Sequence, residues 1–125
     1  MLFRSRAKGA APLFEVRNLS WSDRLRDISF TAEAGEVVGL GGLDGQGQRE
    51  LLLALFGVLR GVSGEIRVAG VPVSPSSPNA AKGKRIGMAL IPEDRKTEGL
   101  MLPMSVRENL SFAALPRVSD RKSVV

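Results

Sequence analysis

The sequence predicts an α/β fold with an antiparallel β side sheet. Three observations carry this expectation. A short β-branched run, Glu36-Val37-Val38-Gly39-Leu40, leads through a glycine-rich loop into helix formers from Arg49 to Phe56. Ahead of it, residues 13–19 and 27–33 alternate in polarity, with Ile28, Phe30 and Ala32 on one face. Behind it, residues 65–68 and 71–73 flank Ala69-Gly70 in the manner of a hairpin.

Taken in order, residues 1–12 read as a flexible basic lead-in or linker, and residues 13–116 as the folded body. Residues 13–19 form a first strand, and a polar turn around Ser22-Asp23 occupies 21–26. After the strand at 27–33, Ala34-Gly35 turns the chain into the run 36–40. The helix that starts at Arg49 stops at Gly57, which sits where a C′ glycine ends a helix. Gly61 to Gly64 make a turn before the hairpin. Ser77-Pro78 is an N-cap and N1 pair opening a short helix to about residue 84. Residues 86–91, Ile-Gly-Met-Ala-Leu-Ile, read as a second buried strand, and 92–103 as a charged loop. Ser105-Val106-Arg107-Glu108 has capping-box form and starts a helix to about residue 115. Residues 117–125 are a basic tail. The runs 36–40 and 86–91 are the candidates for core parallel strands. Two are few for a doubly wound sheet, so the chain reads as the front half of something larger.

Bulk properties narrow the function classes. At 125 residues the chain is one domain or part of one. No apolar run approaches the roughly 20 residues that span a bilayer, and the first residues lack the apolar core of a signal peptide. Cysteine and histidine are both absent. That removes disulfides, thiolate metal sites and histidine-dependent catalysis, and it points to a cytoplasmic chain. The net charge of +5 comes from the ends. Arg4, Arg6 and Lys8 lie in the lead-in, and Arg117, Arg121 and Lys122 in the tail against Asp120. The body between balances 12 basic with 12 acidic side chains. A nucleic-acid surface clusters its cations on the folded body, so none is expected here.

The chemistry sits in Gly42-Leu43-Asp44-Gly45-Gln46-Gly47-Gln48-Arg49. A strand before and a helix after give these glycines the setting of a phosphate-binding loop, in which main-chain N–H groups at a helix N-terminus cradle an anion. Such loops carry a lysine and then a hydroxyl residue after the last glycine. Here Gln48 and Arg49 stand in those places. Gln48 donates a hydrogen bond without charge. Arg49 cannot ligate a metal, though its guanidinium suits a phosphate. Weak nucleotide binding follows, with poor or absent hydrolysis, and magnesium is doubtful at this site. The fold class is then a partial P-loop nucleotide-binding domain with its side sheet. Glu93, just past the apolar run 86–91, is placed to contact a metal-bound water or a partner, since ligands gather at the carboxyl ends of strands. A rival reading makes 88–94 an apolar strand ending in an acidic metal ligand. Pro92 interrupts that pattern, and the acids run Glu-Asp. Trp21, the single tryptophan, offers a flat face to an adenine, or else packs in the core.

Four stretches together make the chain similar to the start of an ABC-transporter nucleotide-binding domain. It most resembles the second such domain of tandem sugar importers of the ribose, galactose and xylose type. They are Glu15-Val16-Arg17-Asn18-Leu19, then Gly35 to Leu40, then Gly45 to Leu51, and lastly Ile91-Pro92-Glu93-Asp94-Arg95-Lys96 to Gly99-Leu100 with Ser105 to Leu110. The resemblance covers about residues 13–115. It implies ATP held between two such domains in a head-to-tail pair, contact with a membrane permease, and a periplasmic sugar-binding protein acting indirectly. It also implies a position on the inner face of the cell membrane. Glu93 falls where the family has the glutamine of its Q-loop. An altered lysine suits the second domain, so Gln48 fits the pattern, while Arg49 departs further from it. The family's L-S-G-G-Q signature, its Asp-Glu pair and its switch histidine do not occur in these residues. The expectation is therefore a fragment, natural or deliberately cut, with apolar strand edges that favour self-association. A phosphate-binding regulatory module without catalysis is the alternative.

The 125 residues are expected to release no phosphate from ATP above a buffer blank. Release that a Gly47→Asp substitution abolishes would contradict this.

Overall fold

The computed structural model describes residues 11–112 and, by backbone alone, residues 2–5. The expected tail at 117–125 lies outside the described residues, as does half of the expected lead-in. The chain divides into two units, the first ending at Leu90 and the second beginning at Ile91.

The first unit is built on strands β1 (Leu2–Ser5), β2 (Phe14–Trp21), β3 (Leu25–Ala32), β4 (Val37–Leu40), β5 (Ser63–Val68) and β6 (Val71–Val73). Helix α1 (Gln48–Leu55) and helix α2 (Pro78–Lys82) complete it. Four strands form one antiparallel sheet in the order β3-β2-β5-β6, and β1 pairs antiparallel with β4 in a second, two-stranded sheet. A strand thus occupies residues 2–5, where the sequence suggests a lead-in. Its partner is the strand that feeds the glycine loop.

Strand β2 changes phase midway, and the core depends on it. Val16 and Leu19 are both 1% exposed, yet they are an odd three positions apart. In an unbroken strand they would face opposite sides. A bulge absorbs the difference. The pairing of β2 shifts between Val16 and Leu19 against β3, and between Arg17 and Ser20 against β5. Asn18, inside the bulge, is left-handed at φ 50°. Its N–H donates to Ser29 Oγ at 2.8 Å, and its side-chain amide donates to Asp27. These local bonds satisfy groups that the ladder releases. Gly64 of β5 lies directly against the bulge at φ 108°. A Cβ there would stand 2.7 Å from the Asn18 carbonyl oxygen and 2.7 Å from the Leu19 Cα.

Helix α1 lies on this core through Leu51, Ala54 and Leu55, the i, i+3, i+4 set of one helical face. They join Val16, Leu19, Leu25 and Ile66 in a single buried cluster. The helix ends as the sequence predicts. Gly57 at φ 76° donates to Ala54 O at 3.1 Å, and Val58 donates to Leu53 O at 3.0 Å, the paired bonds of a Schellman cap. The β5–β6 hairpin also forms as expected, turning through Ala69 and Gly70 at φ 50° and 76°. Ser77 caps α2, its hydroxyl accepting from the Ala80 amide at 3.2 Å.

The expected second buried strand does not form. Residues 86–91 carry no ladder pairing, and among the described residues no two strands run parallel. The local reason is backbone chemistry. Ile86 N–H and Gly87 N–H donate back to the Gly83 carbonyl, and Met88 N–H donates to Ala81 O. Gly87 is left-handed at φ 73°. Those amides are spent on α2 and its C-terminal turn, and an apolar run without a neighbouring strand has no ladder to join. Met88 still packs against the core cluster.

The second unit contains a five-residue π-helical turn, Arg95–Gly99, within the expected charged loop, and helix α3 (Val106–Phe112). The capping box at α3 forms in full. The Glu108 amide donates to Ser105 Oγ at 3.3 Å, and the Ser105 amide donates to Glu108 Oε2 at 2.8 Å. The Asn109 side chain holds the preceding loop, accepting from Met101 N at 2.9 Å and donating to Met101 O and Met104 O.

A Gly64→Ala substitution is expected to destabilise the first unit by about 3 kcal/mol or more, because strained torsions add to a backbone clash. Gly70→Ala, with nothing within 4 Å of its Cβ position, should lose only the left-handed preference of about 1–2 kcal/mol. Urea unfolding midpoints of the two variants test the difference.

Candidate phosphate-binding site

The glycine loop 42–49 joins β4 to α1. The first turn of a helix has N–H groups without intrahelical partners, so the capping residue decides what satisfies them. Here it is Gly47, left-handed at φ 100°, which makes no side-chain cap bond. A serine or aspartate at that position would fill the amide nest with its own oxygen. Glycine leaves the nest for an external acceptor. Gly47 is buried, whereas Gly42, Leu43, Asp44, Gly45 and Gln46 are exposed. Its burial comes from the turn between β2 and β3. A Cβ on Gly47 would stand 3.1 Å from the Arg24 carbonyl oxygen and 3.2 Å from Leu25 Cδ2.

Gln48 folds over the loop. Its Nε2 donates to the Leu43 carbonyl at 3.1 Å, and the same carboxamide fills the space a Cβ on Gly42 would take. The side chain that stands for the lysine thus closes the loop on itself and brings no charge. Arg49, in the first turn of α1, is exposed and already engaged in a contact.

A cavity of about 190 Å³ opens beside the loop. Its lining combines Gln46, Gly47 and Gln48 of the loop with the apolar Ile28, Leu40 and Leu51 and with Arg24 and Leu25 at the β2–β3 turn. Gly42, Leu43, Asp44, Gly45 and Arg49 stand outside its lining. Arg24, within the expected polar turn 21–26, is the residue that sequence reasoning passed over. Its signal lay only in three dimensions, because it is 21 positions from Gly45, whose carbonyl its guanidinium reaches at 3.4 Å.

The residues fit a nucleotide's phosphate group: an uncapped amide nest on a glycine, open space at Gly45, and a guanidinium at the rim. They do not fit magnesium in the same way. Arg49 stands where a hydroxyl would ligate the ion, and it offers no oxygen.

Trp21 belongs to the same unit but does not line this cavity. Its indole N–H donates to the Arg60 carbonyl at 2.8 Å, and the half-buried ring packs against the core. Glu93 lies in the second unit, exposed, one residue before Asp94. Asp94 caps the π-helical turn, its Oδ1 accepting from Lys96 N at 2.8 Å and Thr97 N at 3.3 Å. The Lys96 amide, with the Thr97 hydroxyl and amide, holds the Asp94 carboxyl below the usual aspartate range. The Ser105 hydroxyl and amide do the same for Glu108.

A family model described as ABC transporter matches residues 25–124. The chain is 74% identical over 110 residues to the ribose import ATP-binding protein RbsA 1 of Mesorhizobium japonicum, covering 88% of this chain and 21% of that protein. It is 68% identical over 108 residues to the protein of the same name from Rhizobium johnstonii, covering 86% and 21%. It is 45% identical over 108 residues to the ribose import ATP-binding protein RbsA of Bacillus subtilis, again covering 86% and 21%. The chain spans about a fifth of the length of these curated relatives. No solved structure gives a significant match.

Both capping carboxylates have folded values below their ordinary ones, so they stabilise the second unit fully above the ordinary values of 3.8 for Asp94 and 4.5 for Glu108. That stability is lost as pH falls through the lowered values. Carboxyl resonances followed through an acid titration should move below those ordinary values, with the caps opening in the same range. Titration at or above them would contradict the capping role.

Proposed function

We propose that this chain, which belongs to the ABC transporter family, is part of the ATP-binding subunit of a sugar importer and holds nucleotide phosphate in the loop Gly42 to Arg49. The observation that carries the reading is the uncapped N-terminus of α1 on the left-handed Gly47, beside the cavity at Gln46 to Gln48. Relatives named for ribose import support sugar as the cargo class.

The division of labour follows from the residues. Main-chain amides at Gly47 and the start of α1 orient a phosphate along the helix axis, where the dipole favours negative charge. Gln48 keeps the loop closed through Leu43 until an anion competes for it. The bound nucleotide supplies the negative charge and the binding energy that close a pair of such domains. Hydrolysis is left to another site, because Gln48 and Arg49 provide neither the lysine charge nor a magnesium ligand. Base stacking falls to Trp21 only through the part of its ring that the core leaves uncovered. Glu93 serves as a partner contact on the permease side.

The partners in this reading are a second nucleotide-binding domain, a membrane permease and, indirectly, a periplasmic sugar-binding protein. Among the described residues no helix is long and apolar enough to cross a membrane. The reading places the chain at the inner face of the cell membrane, held there by the permease. The absent lysine favours one alternative, a module that binds phosphate to regulate a partner without turnover.

ATP titrated to millimolar levels should shift the amide resonances of Gly45, Gly47 and Gln48 in the 125-residue protein. Resonances that stay in place would overturn nucleotide binding at this loop.

A further inference from the structure

We propose that Arg24 supplies the positive charge missing where Gln48 stands in place of the loop's lysine, as a phosphate-binding residue reaching in from the turn between β2 and β3. This rests on the phosphate reading above and goes beyond it, since no loop residue lining the cavity carries a charge.

Three observations converge. Arg24 is the single ionic side chain among the described residues lining the cavity beside Gln46, Gly47 and Gln48. Its position is set by main-chain packing. The Arg24 carbonyl and Leu25 lie against Gly47 so closely that a Cβ there would be 3.1 Å and 3.2 Å away, and Leu25 is only 3% exposed within the core. The stem of the arginine is thus anchored at the last glycine of the nest. Its guanidinium, however, is loosely held. The bond from Nη1 to Gly45 O is 3.4 Å, at the weak limit for N–H···O geometry. An anionic oxygen offers a stronger acceptor than a peptide carbonyl, and a guanidinium can grip two phosphate oxygens at once. Arg24 can therefore exchange Gly45 for a phosphate with little movement of its backbone.

Arg49 is the competing cation in the sequence. It lies outside the cavity lining and already has a contact. Gln48 spends its side-chain donor on Leu43 at 3.1 Å. Charge delivered from a separate element also couples the site to the β2–β3 turn, which a lysine on α1 would not do.

The test measures binding, not turnover, using Arg24→Gln, Arg24→Lys and Arg49→Gln in the 125-residue protein. Isothermal titration with ATP and with inorganic triphosphate is followed at two salt concentrations. Glutamine retains an N–H for the Gly45 carbonyl, so Arg24→Gln removes charge while keeping the means to hold the loop. The expected result is a Kd for both ligands raised about tenfold to a hundredfold in Arg24→Gln, with a weaker salt dependence. Arg24→Lys should recover part of the affinity, Arg49→Gln should lose less than Arg24→Gln, and thermal midpoints should stay near wild type. Triphosphate binding to Arg24→Gln as tight as wild type overturns the proposal. So does a larger loss in Arg49→Gln, or a midpoint in Arg24→Gln that falls in step with affinity. A wild-type protein that binds neither ligand overturns the phosphate reading itself, and the role of Arg24 with it.

Discussion

The structure depends on the seating of helix α1 on the antiparallel sheet. Leu51, Ala54 and Leu55 meet Val16, Leu19, Leu25 and Ile66 in one buried cluster, and the glycine loop is what enters that helix. An eight-residue helix is too short to persist in water by propensity alone. Packing must hold it. The same packing fixes where its first amides point, so apolar burial several residues away sets the geometry of a polar site.

That burial is possible only because β2 is bulged. Phe14 and Val16 follow one alternation, and Leu19 and Trp21 the other. The bulge at Asn18 reconciles them, so that Val16 and Leu19 both join the buried cluster with Leu51, Ala54 and Leu55. Gly64 accommodates the bulge from the neighbouring strand. β3 begins beyond a second shift, with Leu25 opposite Trp21. This is why the turn carrying Arg24 ends up against Gly47. The irregularities of the side sheet thereby determine which residues surround the loop.

The electrostatics of the site divide along the same lines. The nest at Gly47 needs only backbone, and every residue of it lies in one short stretch of sequence. No cation of that stretch lines the cavity: Gln48 turns inward onto Leu43, and Arg49 lies outside the lining. The cation within reach belongs to another element. A loop that lacks its lysine is thus weakened locally without being emptied of positive charge, because the fold brings one in from the β2–β3 turn.

The amino-acid order by itself determined the features that local physics controls. The Schellman cap at Gly57, the Ala69-Gly70 hairpin, the Ser77-Pro78 start of α2 and the Ser105–Glu108 capping box were all legible, because each is satisfied by residues within a few positions. The glycine loop with its missing lysine was legible for the same reason, and the family through four such stretches together, the run from Glu93 to Leu100 among them. Tertiary structure decided the rest. Residues 86–91 have the composition of a buried strand, yet composition does not provide a neighbour, and their first amides bond back to Gly83 and Ala81 instead. Residues 2–5, with nothing strand-like to distinguish them, form β1 because the edge of β4 offers a ladder. Arg24 looked like one more polar residue in a turn until the packing of Leu25 brought it to Gly47. A strand needs a partner and a site needs neighbours, and both come from parts of the chain too distant in sequence for local pattern to relate.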